Sequence, residues 1–195
     1  SCPSYEYIGV TRKVDPTKGE ASPILYNASK WQLLQGDTHW LSETPDILGS
    51  GPEVNPRMVT WARLALINIA PEGKDGRYPE DYRGHCEHNR EFYVFNTHYF
   101  NGRKDSLARY NASKLILERV DALSRFGAWT AERPVFLMGD FNCRPGSPPY
   151  KVLVGEGKDP YSNQFTDTAK DHDKIDWILY KGGVKVLRYE DVEYN

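Results

Sequence analysis

Long apolar runs, paired cysteines and an excess of charge of either sign are all missing from this chain of 195 residues. No stretch approaches the ~18 consecutive apolar residues of a membrane span, so no transmembrane segment is read from the sequence. Cysteine is scarce: Cys2, Cys86 and Cys143 are widely spaced and odd in number, which argues against a disulfide framework. The 25 Lys and Arg residues against 27 Asp and Glu leave a formal charge of -2. No global basic field therefore gathers nucleic acid, although a local phosphate site needs only a few donors. Repeats, low-complexity tracts and long linkers are absent too. The length suits one domain, long enough to bury roughly 70% of the surface of its unfolded chain.

What is present centres on Val135–Arg144, VFLMGDFNCR. Val135, Phe136, Leu137 and Met138 make an apolar run of strand length that Gly139 ends. Asp140 and Asn142 follow directly. Residues two apart share a side, so just past a strand end both can point into a crevice at the edge of a sheet and grip a hydrated metal or a phosphate oxygen. Asp and Asn also favour turns for their own hydrogen-bonding reasons, and that plainer reading stays open.

The rest of the chain reads as α+β. Tyr7–Val10 is a short apolar patch within a charged, Gly- and Pro-containing stretch. Ile24–Tyr26 and Trp31–Leu34 read as a hairpin about a polar turn at Asn27–Lys30. Gly36–Pro56, with THWLSETPD at Thr38–Asp46, reads as an ordered loop bordering a site. Met58–Ile69 and Phe92–Thr97 are rich in bulky β-formers and predict an antiparallel pair around the hydrophilic Pro71–Arg90 insertion. That insertion carries His85, Cys86 and His88 at a spacing matching no zinc pattern. Between about Lys104 and Phe126 the period becomes helical, with Ala112, Ile116, Val120 and Leu123 in one stripe, Asp105 or Ser106 as N-cap and Gly127 as stop. A short helix is expected over Ser147–Val154, begun by Pro148 and Pro149. Asp159–Asp173 reads as a polar loop; Lys174–Tyr180 and Val184–Tyr189, hinged at Gly182 and Gly183, read as a final hairpin. Segregated hairpins and packed helices indicate a layered α+β sandwich. The tripeptides Asn27-Ala-Ser29 and Asn111-Ala-Ser113 fit glycosylation sequons, relevant only to an exported protein.

Three strands deliver polar groups at their ends: Asn96-Thr97-His98, Gly139-Asp140-Phe141-Asn142 and Ile175-Asp176-Trp177. With WLSETPD at Trp40–Asp46, RMVTWARL at Arg57–Leu64 and SKLILERV at Ser113–Val120, these blocks resemble the endonuclease/exonuclease/phosphatase superfamily, in its branch of small, often microbial members. The resemblance implies a deoxyribonuclease I-like layered β-sandwich flanked by helices. It implies that Asp140 orients or deprotonates the attacking water, that Asn142 holds a phosphate oxygen or the water, and that His98 faces the phosphate. Asp176 would support a second histidine. Arg57, whose planar fork suits phosphate, and Asn96 are additional phosphate-contact candidates. Asp140 and Asn142 are the implied metal ligands, for Mg²⁺ or alternatively Mn²⁺. Such an ion and a positioned carboxylate together suit hydrolysis of a phosphoester, because the phosphoryl oxygens otherwise repel water.

Two blocks of that family pattern are missing. An asparagine strand and a Gln-Glu strand, whose glutamate is the principal metal ligand, do not precede Ser1, and a Ser-Asp-His block does not follow Asp176. The expectation is therefore one domain over 1–195, incomplete at both ends, from the centre of a longer hydrolase. A non-catalytic binding or scaffolding domain of the same fold is the rival. The substrate, whether nucleic acid, nucleotide, sugar phosphate or lipid head group, is not read from the sequence. Neither are oligomeric state and location.

Overall fold

The structure, a computed structural model, describes residues 4–51, 55–67, 91–102, 106–125, 133–155, 165–169 and 173–190. Eight strands and two helices follow the order β1 (Tyr5–Ile8), β2 (Ile24–Asn27), β3 (Trp31–Trp40), β4 (Met58–Leu66), β5 (Glu91–His98), α1 (Ser106–Arg125), β6 (Val135–Asp140), α2 (Pro148–Val154), β7 (Thr166–Asp167) and β8 (Asp176–Lys181). The main sheet has six strands in the order β3-β4-β5-β6-β8-β7, and β1 and β2 form a separate ribbon. Among the described strands only β5 and β6 run parallel. The helical segment α1 makes that crossover, as a parallel connection demands.

Alternation along the strands sorts the side chains into two cores. Val59, Trp61, Phe95, Leu137, Trp177 and Leu179 face α1 and α2, meeting Ile116, Leu117, Val120 and Leu153. On the other face Ala62, Leu64 and Val94 meet Ile24 and Tyr26 of the ribbon. This is the layered α+β arrangement expected from the sequence. The ribbon covers the β4–β5 side, and over β8 the same face is open, with Ile178 47% exposed. Proline opens α2, and Gly155, at φ 86°, closes it by donating its N–H to the Lys151 carbonyl. Only glycine takes that left-handed turn without strain.

Several local expectations are corrected. β2 and β3 are not a hairpin, for β2 pairs with β1 while β3 pairs with β4. The turn is real, closed by Lys30 N–H to the Asn27 carbonyl and by Asn27 Oδ1 accepting from the Ser29 N–H. It carries the chain from one layer to the other. Gly36–Trp40 belongs to β3, so the loop of the THWLSETPD stretch begins only after Trp40. Residues 184–190 contain no strand, and the polar 159–173 stretch contains β7, which takes the free edge of β8. Within the helical segment the observed start is Ser106, while Asp105 and Gly127 lie outside the described residues. So do Cys2, the Pro71–Arg90 insertion with His85, Cys86 and His88, and His172. Among the described residues no helix is long and apolar enough to cross a membrane.

Candidate active site

One end of the main sheet carries the polar strand ends. Register places His98 beside Asp140 across the β5–β6 pair, and Asp140 beside Asp176 across the β6–β8 pair. The close approach is built into the backbone at Gly139, φ 142°, where a Cβ would stand 1.9 Å from the Thr97 carbonyl oxygen. Any larger residue would push β5 and β6 apart where His98 and Asp140 must meet.

Beyond the strand ends the ladder continues, with Tyr99 N–H donating to the Asp140 carbonyl and Phe141 N–H to that of Ile175. Phe141 stacks on Trp177 at 4.3 Å, and Tyr99 meets its edge at 4.9 Å. These rings, fully buried or nearly so, form a floor under the loop that carries Asn142. Burial pushes the Tyr99 phenol far up, and its hydroxyl is paired with Ser113 at 3.0 Å. It is part of the floor and not an acid or base.

Asn142 adopts φ 49°, a left-handed conformation that asparagine tolerates better than most residues. Asp140 Oδ1 accepts its N–H at 2.8 Å, and its amide nitrogen donates to the Tyr99 carbonyl at 3.0 Å. Turn chemistry and site geometry thus coexist. The Asp140 carboxylate holds the turn with Oδ1 and presents Oδ2 to His98 Nε2 at 3.6 Å.

On the far side of His98 stands a cluster whose key members sequence reasoning missed. Glu20 Oε2 lies 3.4 Å from His98 Nδ1 and accepts from Arg12 Nη1 at 2.8 Å and Arg57 Nη1 at 3.3 Å. Both arginines are buried, whereas Glu20 is 58% exposed. Arg57, read from the sequence as a phosphate contact, therefore sits beside His98, and Arg12 and Glu20 join it. Their segment reads only as a charged loop, and the single bridge Thr11↔Ala21 that folds it leaves no periodic signal. Asn96 points to the ribbon face, donating to the Pro23 carbonyl at 2.8 Å. That bond gives it a structural job beside the cleft.

Asn96, Asp140 and Asp176 line an open cleft of about 470 Å³ with Lys174 and Thr168. A larger cavity of about 680 Å³ lies between the 41–51 loop and α1, lined by Leu41, Thr44, Phe100 and Lys114. Its wall includes Glu43 and Glu118 but none of the strand-end groups, so the smaller cleft, where Asp140 neighbours His98, is the candidate site. The 41–51 loop borders the larger cavity and backs the site indirectly, since Leu41 N–H donates to the Arg57 carbonyl at 2.7 Å.

Partial burial, then the Arg57 guanidinium, hold the His98 imidazole below its ordinary value against the pull of Asp140 and Glu20. Desolvation, then the like charge of Asp140, push Asp176 up. Two carboxylates crowded at one strand end are what a cation relieves. Among the described residues no group of three or more His, Cys, Asp or Glu side chains is placed to hold a metal ion. A Mg²⁺ ion keeps several waters and needs only one or two carboxylates from a protein.

The model of the endonuclease/exonuclease/phosphatase family matches residues 33–194. The chain belongs to that family. An endonuclease/exonuclease/phosphatase family protein of Bacteroides thetaiotaomicron superimposes with a TM-score of 0.67 at 25% identity, over 91% of this chain and 60% of that one. The mannosyl-6-phosphatase of the same bacterium gives 0.66 at 26% identity, over 98% and 70%. Among curated proteins, Protein angel of Drosophila melanogaster is 27% identical over 150 residues, which are 77% of this chain and 35% of the fly protein. The chain thus spans about a third of that relative and 60% of the first bacterial structure. The fold of these family members is the deoxyribonuclease I-like α+β arrangement seen here.

Proposed function

We propose that the protein to which these residues belong is a metal-dependent phosphoester hydrolase, with its reaction at the His98–Asp140–Asp176 strand ends. One observation carries the reading: residues remote in sequence stand in register at one sheet end, beside buried Arg12 and Arg57. Asp140 Oδ2 accepts a proton from an attacking water or orients it in line with the phosphorus. His98 hydrogen-bonds a phosphate oxygen and stabilises the charge that grows on it. The Asn142 amide nitrogen is engaged by Tyr99, so its oxygen is the atom left for the water or a cation. Arg57 adds a planar cation on the phosphate side.

Asp140 and Asn142 would hold Mg²⁺, or Mn²⁺ in its place, with Asp176 adjoining. When bound, the ion neutralises the phosphoryl oxygens and so admits a water nucleophile. The likeness to a mannosyl-6-phosphatase supports a phosphomonoester on a sugar as the first substrate to try. Nucleotides and lipid head groups share the same reacting group.

The test is hydrolysis of p-nitrophenyl phosphate, bis(p-nitrophenyl) phosphate and mannose 6-phosphate by the purified protein, with Mg²⁺, Mn²⁺ or EDTA. Turnover that requires the cation and disappears in Asp140→Ala is expected. Turnover indifferent to both EDTA and that substitution would place the chemistry elsewhere.

A further inference from the structure

We propose that Arg12 is a positioning residue of this site: it fixes the Glu20 carboxylate, and through it the imidazole of His98. The inference rests on the hydrolase reading for its kinetic consequence, but its geometry stands alone. Arg12 is buried and anchored at four points. Its Nη1 donates to Glu20 Oε2 at 2.8 Å and its Nη2 to Asn55 Oδ1 at 3.2 Å. Its own N–H donates to the Glu20 carbonyl at 2.9 Å, and its carbonyl accepts from the Trp40 indole.

Glu20 has the opposite character. It lies in an irregular segment with its side chain 58% exposed, and an exposed glutamate ordinarily turns freely into water. The Arg12 contact is the shortest one made by Oε2, ahead of Arg57 at 3.3 Å and His98 Nδ1 at 3.4 Å. A guanidinium held from both sides therefore stations an exposed carboxylate beside Nδ1. With Glu20 Oε2 3.4 Å from Nδ1 and Asp140 Oδ2 3.6 Å from Nε2, the ring stands between two carboxylates, and stationing one of them biases its orientation and which nitrogen carries the proton. A lysine could supply the charge at this place, but only a fork reaches Glu20 and Asn55 together.

The experiment is a double-mutant cycle of Arg12→Met and Glu20→Gln with p-nitrophenyl phosphate, with long-range ¹H–¹⁵N spectra of the His98 ring at fixed pH in EDTA. Arg12→Met is expected to lower kcat about tenfold, as a misplaced catalytic group does, with KM changed less than about twofold. In the Glu20→Gln background it should cost less than about twofold, because the route is already cut. Arg12→Lys should recover about threefold of the loss. In the spectra, both Arg12→Met and Glu20→Gln should turn one ring tautomer into a mixture. If Arg12→Met does not fold, Arg12→Lys runs the same cycle and the same spectra.

Equal losses in both backgrounds, or a change confined to KM, would overturn the proposal and make Arg12 a direct substrate contact. An unchanged His98 ring in a folded variant would overturn it as well. Absence of turnover in every form would sink the hydrolase reading alone and leave the spectra to decide the role of Arg12.

Discussion

The two ends of the main sheet each hold one glutamate between two arginines, and they are put to different ends. At the end away from the cleft, Glu91 Oε2 takes Arg63 Nε and Nη2 at 2.9 and 2.6 Å and Arg133 Nε at 3.1 Å. That carboxylate is 9% exposed. At the cleft end, Glu20 takes one Nη from each of Arg12 and Arg57 and keeps its third contact for His98, while 58% exposed. The first cluster is turned inward and satisfied by a fork. The second is loosely shared and opens toward the imidazole. An ion-pair cluster alone does not indicate chemistry; the direction in which it is left unsatisfied does.

The sharpest way to break this contrast is at Asp140. Asp140→Ala is expected to cut phosphoester turnover about 1,000-fold or more, roughly 4 kcal/mol in the transition state. Its stability should fall only by about 1 kcal/mol, for the lost bond from the Asn142 N–H, because the side chain is partly exposed. Steady-state kinetics beside a urea melt measures both. A collapse in stability matching the loss of rate would make the strand end a structural element like its opposite.

Glu91→Ala is the mirror experiment. It leaves Arg63 and Arg133 without their shared anion, and breaking a largely buried pair should cost about 3 kcal/mol of unfolding free energy. Turnover per folded molecule should stay within about twofold, as expected of a change remote from the reacting atoms. Guanidinium chloride unfolding and an assay well below the transition test the two halves. A large fall in turnover without loss of stability would erase the distinction between the ends.

Glu20→Gln is the intermediate case. The amide still fits between the arginines but offers His98 no charge, and about a tenfold loss of kcat is expected. An exposed pair contributes little to folding, so stability should move by less than about 1 kcal/mol. Urea melts and kcat measured on one preparation decide it.

These unequal effects follow what the sequence could reveal. His98, Asp140 and Asp176 were legible because each ends an apolar, alternating run, and runs of that kind pair in register once the sheet forms. Glu20 and Arg12 were not, for an irregular loop carries no period and their partners lie across the fold. Val184–Tyr189 looked like a strand beside Lys174–Tyr180, yet β8 has its two edges filled by β6 and β7, and Leu187 stays 87% exposed. Two residues, Thr166 and Asp167, won that edge because the buried Phe165 anchors them. In the same way, β2 left its sequence neighbour β3 to pair with β1, burying Ile24 and Tyr26 against the sheet.

The smallest expected effect separates folding from function most directly. Desolvation and the neighbouring Asp140 raise the Asp176 carboxyl above its unfolded value of about 3.9. Its protonated form is therefore the one that favours folding. That contribution is complete below the unfolded value and disappears as pH rises through the folded one. At neutral pH the ionised Asp140–Asp176 pair opposes folding, so Asp176→Asn in EDTA should raise the thermal midpoint by about 1–2 °C, small because the residue is exposed. The advantage should fade as pH falls through the raised folded value of Asp176 and be gone below its unfolded value of about 3.9, where that carboxyl is neutral in both states. It should also shrink when Mg²⁺ is added, since a cation relieves the same repulsion in the parent chain. A lower midpoint for Asp176→Asn at pH 7 would mean that the carboxylate is held by favourable contacts, as Glu91 is, and that the cleft end is built for stability after all.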